Sequence, residues 1–517
     1  MKKKIALIIA CSLVLSASAG CKKQADSAVN SKGDQKIVIN WMPQNDGPVD
    51  HNTPVIQELE KKFDVKFNFI YMDRSKETEL LNIRIASGEV PDVMRRNESS
   101  YRNFIKQDVL SEIPEELLKI KAPDVYESTK KFGGDNLWDI AKENGILYGI
   151  PILNLNGKYH SVNIWRDDWL NKVGINKIPE TLDEAETAFY KFVNEDPDGN
   201  GKKDTYALSS NGIKAVFFAY GGNPYGMNWT VKDGKVVLVA TMPEMKQALI
   251  RLAKWYKDGI IDLEFITGEN KGQYFANSVV FWNGRIGFSM PGMYYHVAPP
   301  TSKDSKGSSN YVGFKGVQGP NATFGYGKPL IGPEGKFGAE HWGVFAGDYF
   351  MMGRDVKSGS KKMEKILEIN QALNSDYDTF LLARAGRLGK EYEVIDGERR
   401  ALIESKTKIA YGLNTNGICY VNNNLDFIKK YESPKTIEFA EKAANYTPQY
   451  VNAVWGGLPS DGQYKSIIDK KIQENYLAFI TGARPIDQFD AFLQELYDAG
   501  LAKLTQEANE WYKKIYK

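Results

Sequence analysis

The sequence predicts an α/β protein with two lobes. Strand-like and helix-like segments alternate over residues 36–94, which is the pattern of a parallel sheet covered by helices. About 480 residues follow the N-terminal leader, too many for one ordinary hydrophobic core. Roughly the last hundred residues are mainly helical in pattern. Together these features predict two mixed lobes and a mainly helical C-terminal region.

The first elements follow from the spacing of apolar residues. Residues 36–42 (KIVINWM) form a β-branched run that ends in polar QNDG, and residues 65–72 (VKFNFIYM) alternate in polarity, so both are predicted strands. Residues 53–65 between them carry apolar side chains at helical spacing. This segment therefore predicts a strand, a helix and a second strand.

The next elements repeat that order. Residues 78–94 predict a helix that Gly88 closes, after which Pro91 opens a short buried strand. Residues 147–154 (LYGIPILN) predict another strand, and residues 163–175 (NIWRDDWLNKVGI) predict the tryptophan-bearing helix that follows it.

Several apolar side chains are predicted to be core residues. Trp165, Trp169 and Trp255 lie in amphipathic helical segments, where packing is the better interpretation than ligand contact. Cys419, in GICYVN, is predicted to be a small buried residue.

The N-terminus predicts an export signal. Three lysines, an apolar run too short to cross a bilayer and a stretch of small residues precede Cys21. This ending resembles the lipobox of bacterial lipoproteins, although Ser18 stands where an apolar residue is usual. We expect residues 1–20 to be a signal peptide and Cys21 to be acylated, with palmitate among the expected chains. An ordinary secretion signal is the alternative.

Residues 21–35 predict a flexible tether, because Val29 is the only large apolar side chain among them. Removal of the leader takes away three of the 67 basic residues and none of the 65 acidic ones, which changes the net charge from +2 to −1. This balance gives no basic tract for nucleic acid, and membrane contact is expected only through the lipid. No internal disulfide is expected, and we expect a monomer.

A series of motifs now resembles one family, the extracellular solute-binding lipoproteins of ABC importers, which includes oligosaccharide- and alginate-binding proteins. The motifs that carry the resemblance lie at 86–94, 147–154, 165–192, 242–262, 281–288, 328–338 and 479–501. The resemblance implies a two-lobed fold like that of the type II periplasmic binding proteins, with several chain crossings between the lobes. It also implies ligand capture between the lobes and delivery to a permease, with no chemistry done on the ligand.

This resemblance leads to a division of the chain. Residues 36–155 and about 290–350 are expected to form the first lobe. Residues 156–289 and about 351–517 are expected to form the second.

Residues 196–204 (DPDGNGKKD) place oxygen-bearing groups at the alternate positions of a calcium loop. The predicted ligands are Asp196, Asp198, Asn200, Lys202 through its backbone carbonyl, and Asp204. Calcium prefers several converging oxygen ligands, and a matching loop recurs at this place in the resembled family. The last loop position, normally a glutamate, is Ala207, so Thr205 or water would complete the coordination. A polar turn that ends the preceding helix is the alternative.

The predicted ligand-binding residues combine aromatic faces, which pack on sugar rings, with polar groups that read hydroxyls. They follow predicted strands or lie at probable crossings. The candidates are Trp41, Asn45, Asp46, Arg95, Asn97, Asn154, Asn156, Tyr159, Tyr294, Tyr295, Tyr411, Asn414, Asn416 and Trp455.

Three other functions were weighed against carbohydrate binding. A surface glycosidase needs two carboxylates at a set distance, but the acidic pairs here fall in helical segments, and no catalytic motif occurs. Capture of peptides or other small solutes, or a sensor role on the same fold, remains open. The sequence favours a carbohydrate-binding protein that is not an enzyme.

Overall fold

The computed structural model describes residues 36–266, 278–301, 306–395, 397–414, 417–446, 450 and 452–516. The predicted signal peptide, the predicted tether and Cys21 lie outside these residues. No helix in the described part of the chain is both long enough and apolar enough to span a membrane.

The strands are numbered in chain order over the described residues. They are β1 Ile37–Trp41, β2 Val65–Phe69, β3 Val93–Asn97, β4 Lys142–Glu143, β5 Ile146–Leu147, β6 Gly149–Leu153, β7 Asn163–Arg166, β8 Trp229–Lys232, β9 Lys235–Leu238, β10 Phe288–Ser289, β11 Phe324–Gly327, β12 Phe345–Met352, β13 Tyr392–Ile395 and β14 Glu398–Ala401.

The α-helices are numbered in the same way. They are α1 Pro54–Phe63, α2 Glu77–Ala86, α3 Glu98–Lys106, α4 Glu115–Lys121, α5 Pro123–Gly133, α6 Leu137–Ala141, α7 Asp167–Lys172, α8 Leu182–Asn194, α9 Ser210–Ala219, α10 Pro243–Lys257, α11 Val279–Trp282, α12 Tyr294–Val297, α13 Ser309–Gln318, α14 Lys361–Ser375, α15 Tyr377–Ala385, α16 Ser405–Ala410, α17 Leu425–Tyr431, α18 Pro434–Ala444, α19 Asp461–Thr481, α20 Phe489–Leu496 and α21 Ala502–Ile515.

The main sheet has the strand order β2-β1-β3-β12-β6. Strands β1, β2 and β3 run parallel, with Ile37 opposite Val65 and Trp41 opposite Val93. Helices α1 and α2 connect them, so the predicted alternation of strands and helices is confirmed. Strand β12, however, runs antiparallel to both of its neighbours. The expectation of a purely parallel sheet is therefore wrong, and the sheet is mixed.

The predicted helix over 163–175 is wrong in its first turn. Residues 163–166 form β7, which pairs antiparallel with β10 and β11, and the helix begins only at Asp167. The cause is tertiary, because Ile164 and Trp165 are buried between these two partner strands.

Two hydrophobic cores are present. The first contains buried side chains from the main sheet and its helices, between Ile39 and Ile164 and again between Val280 and Ala444. The second contains Trp165 to Ile261, a few residues near Phe288 and Leu330, and Val454 to Ala508. Many side chains after position 350 are thus buried with the first core. The predicted lobe boundaries remain a prediction.

The second core contains the tryptophans that the sequence predicted to be buried. Trp165, Trp169 and Trp255 are fully buried, which confirms the predicted packing role, although Trp165 lies in β7 and not in a helix. Cys419 is likewise fully buried, within the first core.

Candidate functional site

A cavity of 460 Å³ combines aromatic rings with polar side chains, and we call it the aromatic cleft. It is lined by Phe218, Gly221, Gly222, Asn223, Asn228, Trp229, Thr230, Val239, Glu340, His341, Trp342, Tyr450, Asn452 and Trp455. Residues from four separate chain segments meet here, and both hydrophobic cores contribute to its walls.

Three indole rings supply much of the apolar surface. Trp229, the first residue of β8, is anchored in the second core. Trp455 packs instead against the first core, with its ring centroid 5.6 Å from that of Phe345. Trp342 is half-buried just before β12. The cleft therefore has aromatic walls that are held by two different cores.

The turn after α9 reaches the cleft because of its glycines. Gly221 and Gly222 have φ values of 109° and 156°, which side-chain-bearing residues rarely adopt. A Cβ atom on Gly222 would lie 3.1 Å from a methyl carbon of Val239. These two glycines thus permit the sharp turn that places Asn223 in the lining.

Three amides among the described lining residues have their orientation fixed by hydrogen bonds to the backbone. Asn452 Oδ1 accepts hydrogen bonds from the backbone nitrogens of Trp229 (3.0 Å) and Val454 (3.3 Å), so its NH₂ group remains as a donor. Asn228 Nδ2 donates to the carbonyl oxygens of Tyr225 (2.6 Å) and Asn223 (3.4 Å), so its Oδ1 remains as an acceptor. Asn223 Oδ1 accepts from the backbone nitrogen of Tyr225 (3.1 Å), so its NH₂ group is a second donor. The described lining therefore offers two oriented donors and one oriented acceptor.

His341 is a neutral part of the lining. The backbone nitrogen of Gly343 donates to His341 Nδ1 (3.1 Å), so the ring carries its proton on Nε2 and donates it to the carbonyl oxygen of Lys158 (3.1 Å). Burial, together with the nearby ring of His160, lowers the pKa of His341 to about 4. The imidazole is consequently uncharged at neutral pH.

Among the predicted ligand residues that the structure describes, Trp455 is the one that lies in this lining. The other predicted residues near β1 and β3 lie elsewhere. Trp41 is fully buried, stacks on Tyr420 and donates its indole N–H to the carbonyl of Gly417. Asn45 is also buried, and its amide has no hydrogen-bond partner among the described residues.

The charged candidates near these strands are paired. Asp46 is exposed and lies 3.5 Å from Arg74. Arg95 is joined to Asp348 by an ion pair of 2.6 Å. Asn97 caps α3 by accepting a hydrogen bond from the backbone of Ser100.

Several predicted residues cluster around Tyr294. Its hydroxyl donates to Asn156 Oδ1 (2.7 Å), and its ring meets those of Tyr159 and Tyr295 at 5.0 and 5.5 Å. Asn154 begins the turn that carries Asn156, and it accepts that residue's backbone hydrogen bond. The structure thus brings these five candidates together.

The remaining candidates lie in one further segment. Tyr411 and Asn414 are half-buried after α16, and Asn416 lies outside the described residues. The roles of all the predicted ligand residues remain predictions.

Sequence reasoning missed most of the cleft. Trp229, Trp342 and Asn452 lie in short loops or at strand ends and show no local pattern that distinguishes them from packing residues. The paired glycines before Asn223 were the one local signal, since they mark a strained turn.

A larger groove of 1230 Å³ lies near β13, β14 and α17. Its two aromatic rings are already covered, because the Arg399 guanidinium lies 4.0 Å from the Tyr431 ring centroid and 5.8 Å from that of Tyr392. Arg384 adds a second contact to Tyr431, at 4.9 Å. This groove offers cations rather than aromatic faces.

The predicted calcium loop folds around the side chain of Asn200. Its Nδ2 donates to Asp198 (2.7 Å) and to Asp204 (3.1 Å), and its backbone nitrogen lies 3.2 Å from Asp196 Oδ1. Gly201 donates to the other oxygen of Asp196 at 2.9 Å. The carboxylate oxygens therefore do converge, but they converge on the amide group of Asn200 and accept its hydrogen bonds.

The pKa values of two aspartates in the loop are shifted because their carboxyl groups lie close together. Burial, then hydrogen bonding to Asp196, raises the pKa of Asp198. Hydrogen bonding from the backbone of Gly201, then from Asp198, lowers the pKa of Asp196. The side chains of the loop offer oxygen ligands, which are the type that calcium prefers. In the described part of the chain, however, no three His, Cys, Asp or Glu side chains form a group that could hold a metal ion.

The end of the loop does not supply the missing ligand. Thr205 is buried, and its hydroxyl donates to the carbonyl oxygen of Phe192 (2.7 Å). Ala207 is fully buried in the second core. Of the two ligands suggested for completing a calcium shell, this geometry favours water.

No protein-family model matches the chain. Among curated proteins it is similar to lipoprotein LipO of Bacillus subtilis (strain 168), with 25% identity over 99% of this chain and 98% of LipO. It is also similar to the fructooligosaccharide ABC transporter substrate-binding protein FusA of Streptococcus pneumoniae serotype 4, with 28% identity over 50% of this chain and 53% of FusA. The polygalacturonan/rhamnogalacturonan-binding protein YtcQ of B. subtilis (strain 168) is 26% identical over 52% of this chain and 53% of YtcQ.

Solved structures share the fold. A human milk oligosaccharide (HMO)-binding, ABC-transporter-associated solute-binding protein of Bifidobacterium longum infantis superposes with a TM-score of 0.66 at 16% identity, over 93% of this chain and 99% of that one. FusA in complex with kestose gives a TM-score of 0.64 at 18% identity, over 92% and 99%. The alginate-binding protein AlgQ2 without calcium ion gives 0.64 at 17% identity, over 93% and 98%.

These similarities confirm the predicted resemblance to solute-binding proteins of ABC importers. They also confirm the predicted two-lobed α/β fold class. The relatives FusA and YtcQ are binding proteins by name, and an EF-hand mutant of FusA is also among the similar structures.

Proposed function

We propose that this chain, which resembles the solute-binding lipoproteins of ABC importers, captures an oligosaccharide in the aromatic cleft and delivers it to a membrane permease. The observation that carries the proposal is the lining, where Trp229, Trp342 and Trp455 stand beside oriented amides. Sugar rings present C–H faces to aromatic rings and hydroxyls to amides. The carbohydrate ligands named for FusA and YtcQ support this class of ligand.

Capture is proposed to work by closure of two lobes. The predicted division assigns residues 36–155 and about 290–350 to one lobe, and 156–289 with about 351–517 to the other. A ligand that contacts both walls of the cleft stabilises the closed state, because those contacts exist together only when the lobes are closed. The closed protein, a monomer, would then be recognised by the permease subunits.

The proposed location is the outer face of the cell membrane. Cys21 would carry the lipid, and residues 21–35 would act as the tether. The similarity to a protein named as a lipoprotein, over nearly the whole chain, supports this proposal.

Calcium binding by the loop at 196–204 is proposed as a structural feature. Asp196, Asp198, Asp204 and the carbonyl of Lys202 would hold the ion, together with Asn200 Oδ1 after its amide rotates. The bound cation would supply the positive charge that relieves repulsion between the carboxylates.

No reaction on the ligand is proposed. Binding without catalysis agrees with the named functions of FusA and YtcQ. Product analysis after long incubation with an oligosaccharide library tests this part, and the appearance of shorter products would contradict it.

The binding proposal is tested by calorimetry with the mature chain. The probes are neutral oligosaccharides, oligouronates, peptides and amino acids. We expect heat of binding from at least one oligosaccharide and none from peptides. Binding of peptides alone would overturn the carbohydrate assignment.

A further inference from the structure

The charge of the cleft lining limits which oligosaccharides fit it. Among the described residues of the lining, Glu340 is the one acidic side chain, and His341 is held neutral. No lysine or arginine is among the described residues that line the cleft. Glu340 forms no ion pair with any described residue. The cleft therefore carries a net negative charge.

The lysines that adjoin the lining are already paired. Lys336, whose side chain lies beside Gly221, binds Glu244 (2.8 Å) and Glu334 (3.1 Å). Lys158, whose carbonyl accepts the proton of His341, binds Glu441 at 2.8 Å. The positive charge of each ammonium group is therefore balanced by a carboxylate that is already bound to it.

The oriented amides complement hydroxyl groups. A hydroxyl both donates and accepts, so it can meet the acceptor oxygen of Asn228 and the donor NH₂ of Asn452. A carboxylate only accepts, so it could pair with the NH₂ donor of Asn452 but could offer no proton to Asn228 Oδ1 and would be repelled by the carboxylate of Glu340. Protein sites that recognise carboxylates use arginine or lysine, and burial of an unpaired carboxylate is costly.

From this lining we infer that the cleft selects neutral oligosaccharides and discriminates against oligouronates, with Glu340 as a specificity-determining residue. The inference rests on the proposed function of the aromatic cleft and names its class of substrate. It separates this chain from a binding protein for pectin or alginate fragments, although such proteins share its fold.

The test compares matched probes on the mature chain by calorimetry at neutral pH. The neutral probes are β-1,4-mannotriose, kestose and lacto-N-tetraose, and the acidic probes are trimannuronate and trigalacturonate. We expect at least one neutral probe to bind at least tenfold more tightly than either acidic one. In Glu340→Gln, this ratio should fall severalfold, because the repulsion between carboxylates is removed. Glu438→Gln, which neutralises an exposed charge on α18 at a position outside the lining, should leave the ratio unchanged.

The outcomes separate the two proposals. A uronate that binds as tightly as the best neutral probe overturns the inference and leaves carbohydrate binding intact. An unchanged ratio in Glu340→Gln overturns the role of that residue. Absence of binding by all five probes overturns the proposed function, and the inference with it.

Discussion

The backbone nitrogen of Trp229 donates a hydrogen bond to the side-chain oxygen of Asn452, across a distance of 3.0 Å. These residues are far apart in the chain, yet the bond fixes both an aromatic wall and an amide donor of the cleft. The backbone nitrogen of Ala453 adds a second bond, to the carbonyl oxygen of Trp229 at 2.9 Å. The segment before α19 thus pairs with the end of β8 and assembles part of the site.

At Asn452 the structural role and the proposed ligand contact belong to different atoms, so substitutions can test them separately. Asn452→Asp keeps the oxygen that Trp229 and Val454 need but loses the NH₂ donor, so we expect a near-normal melting temperature and oligosaccharide binding about tenfold weaker. Asn452→Ala loses both groups and should also lower the free energy of unfolding by about 1–2 kcal/mol. Calorimetry and thermal melts measure the two effects. If Asn452→Asp binds as the wild type does, the NH₂ group does not contact the ligand.

The aromatic wall gives a second prediction, at Trp342. Its ring is half-buried and is not part of either hydrophobic core, so Trp342→Ala should weaken oligosaccharide binding by about tenfold or more with little loss of stability. The control is Trp282→Ala, because Trp282 packs against the first core away from the cleft. That variant should lose stability and keep its affinity. Equal affinities in the two variants would contradict a stacking role for Trp342.

The spacing of apolar residues correctly predicted the elements whose formation depends on residues close together in the sequence. The β1-α1-β2 segment and the buried Trp169 and Trp255 follow from apolar spacing within short windows of sequence. Strand β12 was not predicted as an antiparallel member of the main sheet. Its neighbours β3 and β6 lie far upstream, and only tertiary pairing places it between them.

The site was harder to predict for the same physical reason. Trp455 was a candidate because a tryptophan near polar groups is typical of a sugar site. Asn452 and Trp342 gain their roles from contacts with Trp229 and with the other walls of the cleft, which no periodicity encodes. The sequence predicts a carbohydrate cleft in general terms, and packing determines which residues line it.

The buried histidines predict a dependence of stability on pH. Burial lowers the pKa of His341 and of His296 to about 4, below the unfolded value near 6.5. The unfolded chain then binds more protons between these values, so stability is full above about pH 7 and falls as the pH drops toward 4. The slope from each histidine is at most about 1.4 kcal/mol per pH unit.

Denaturant unfolding of His341→Gln between pH 7 and pH 4 checks this expectation. The variant should lose less stability than the wild type over this range. His51→Gln is the control, because His51 is exposed. A variant slope equal to that of the wild type would show that His341 already binds a proton in the folded protein.

The lipid anchor predicts where the protein is found in a producing cell. Cys21→Ser removes the proposed acylation site, so the protein should move from the membrane fraction to the soluble or secreted fraction. Cys11→Ser, in the apolar part of the leader, is the matched control and should leave the protein with the membrane. Membrane retention of the Cys21→Ser protein would contradict the anchor.

The proposed calcium loop predicts that calcium reverses the order of thermal stability between the wild type and the Asp198→Asn variant. Because burial and hydrogen bonding to Asp196 raise the pKa of Asp198, its ionised carboxylate is less stable in the folded, metal-stripped protein than in the unfolded chain. Asp198→Asn should therefore melt at the same temperature as the metal-stripped wild type or slightly above it. Calcium at about 100 times its Kd should stabilise the wild type by about 2.7 kcal/mol and the variant much less. With calcium the wild type should thus become the more stable protein. Identical melting of the wild type with and without calcium would exclude a calcium site and leave the loop as a turn closed by Asn200.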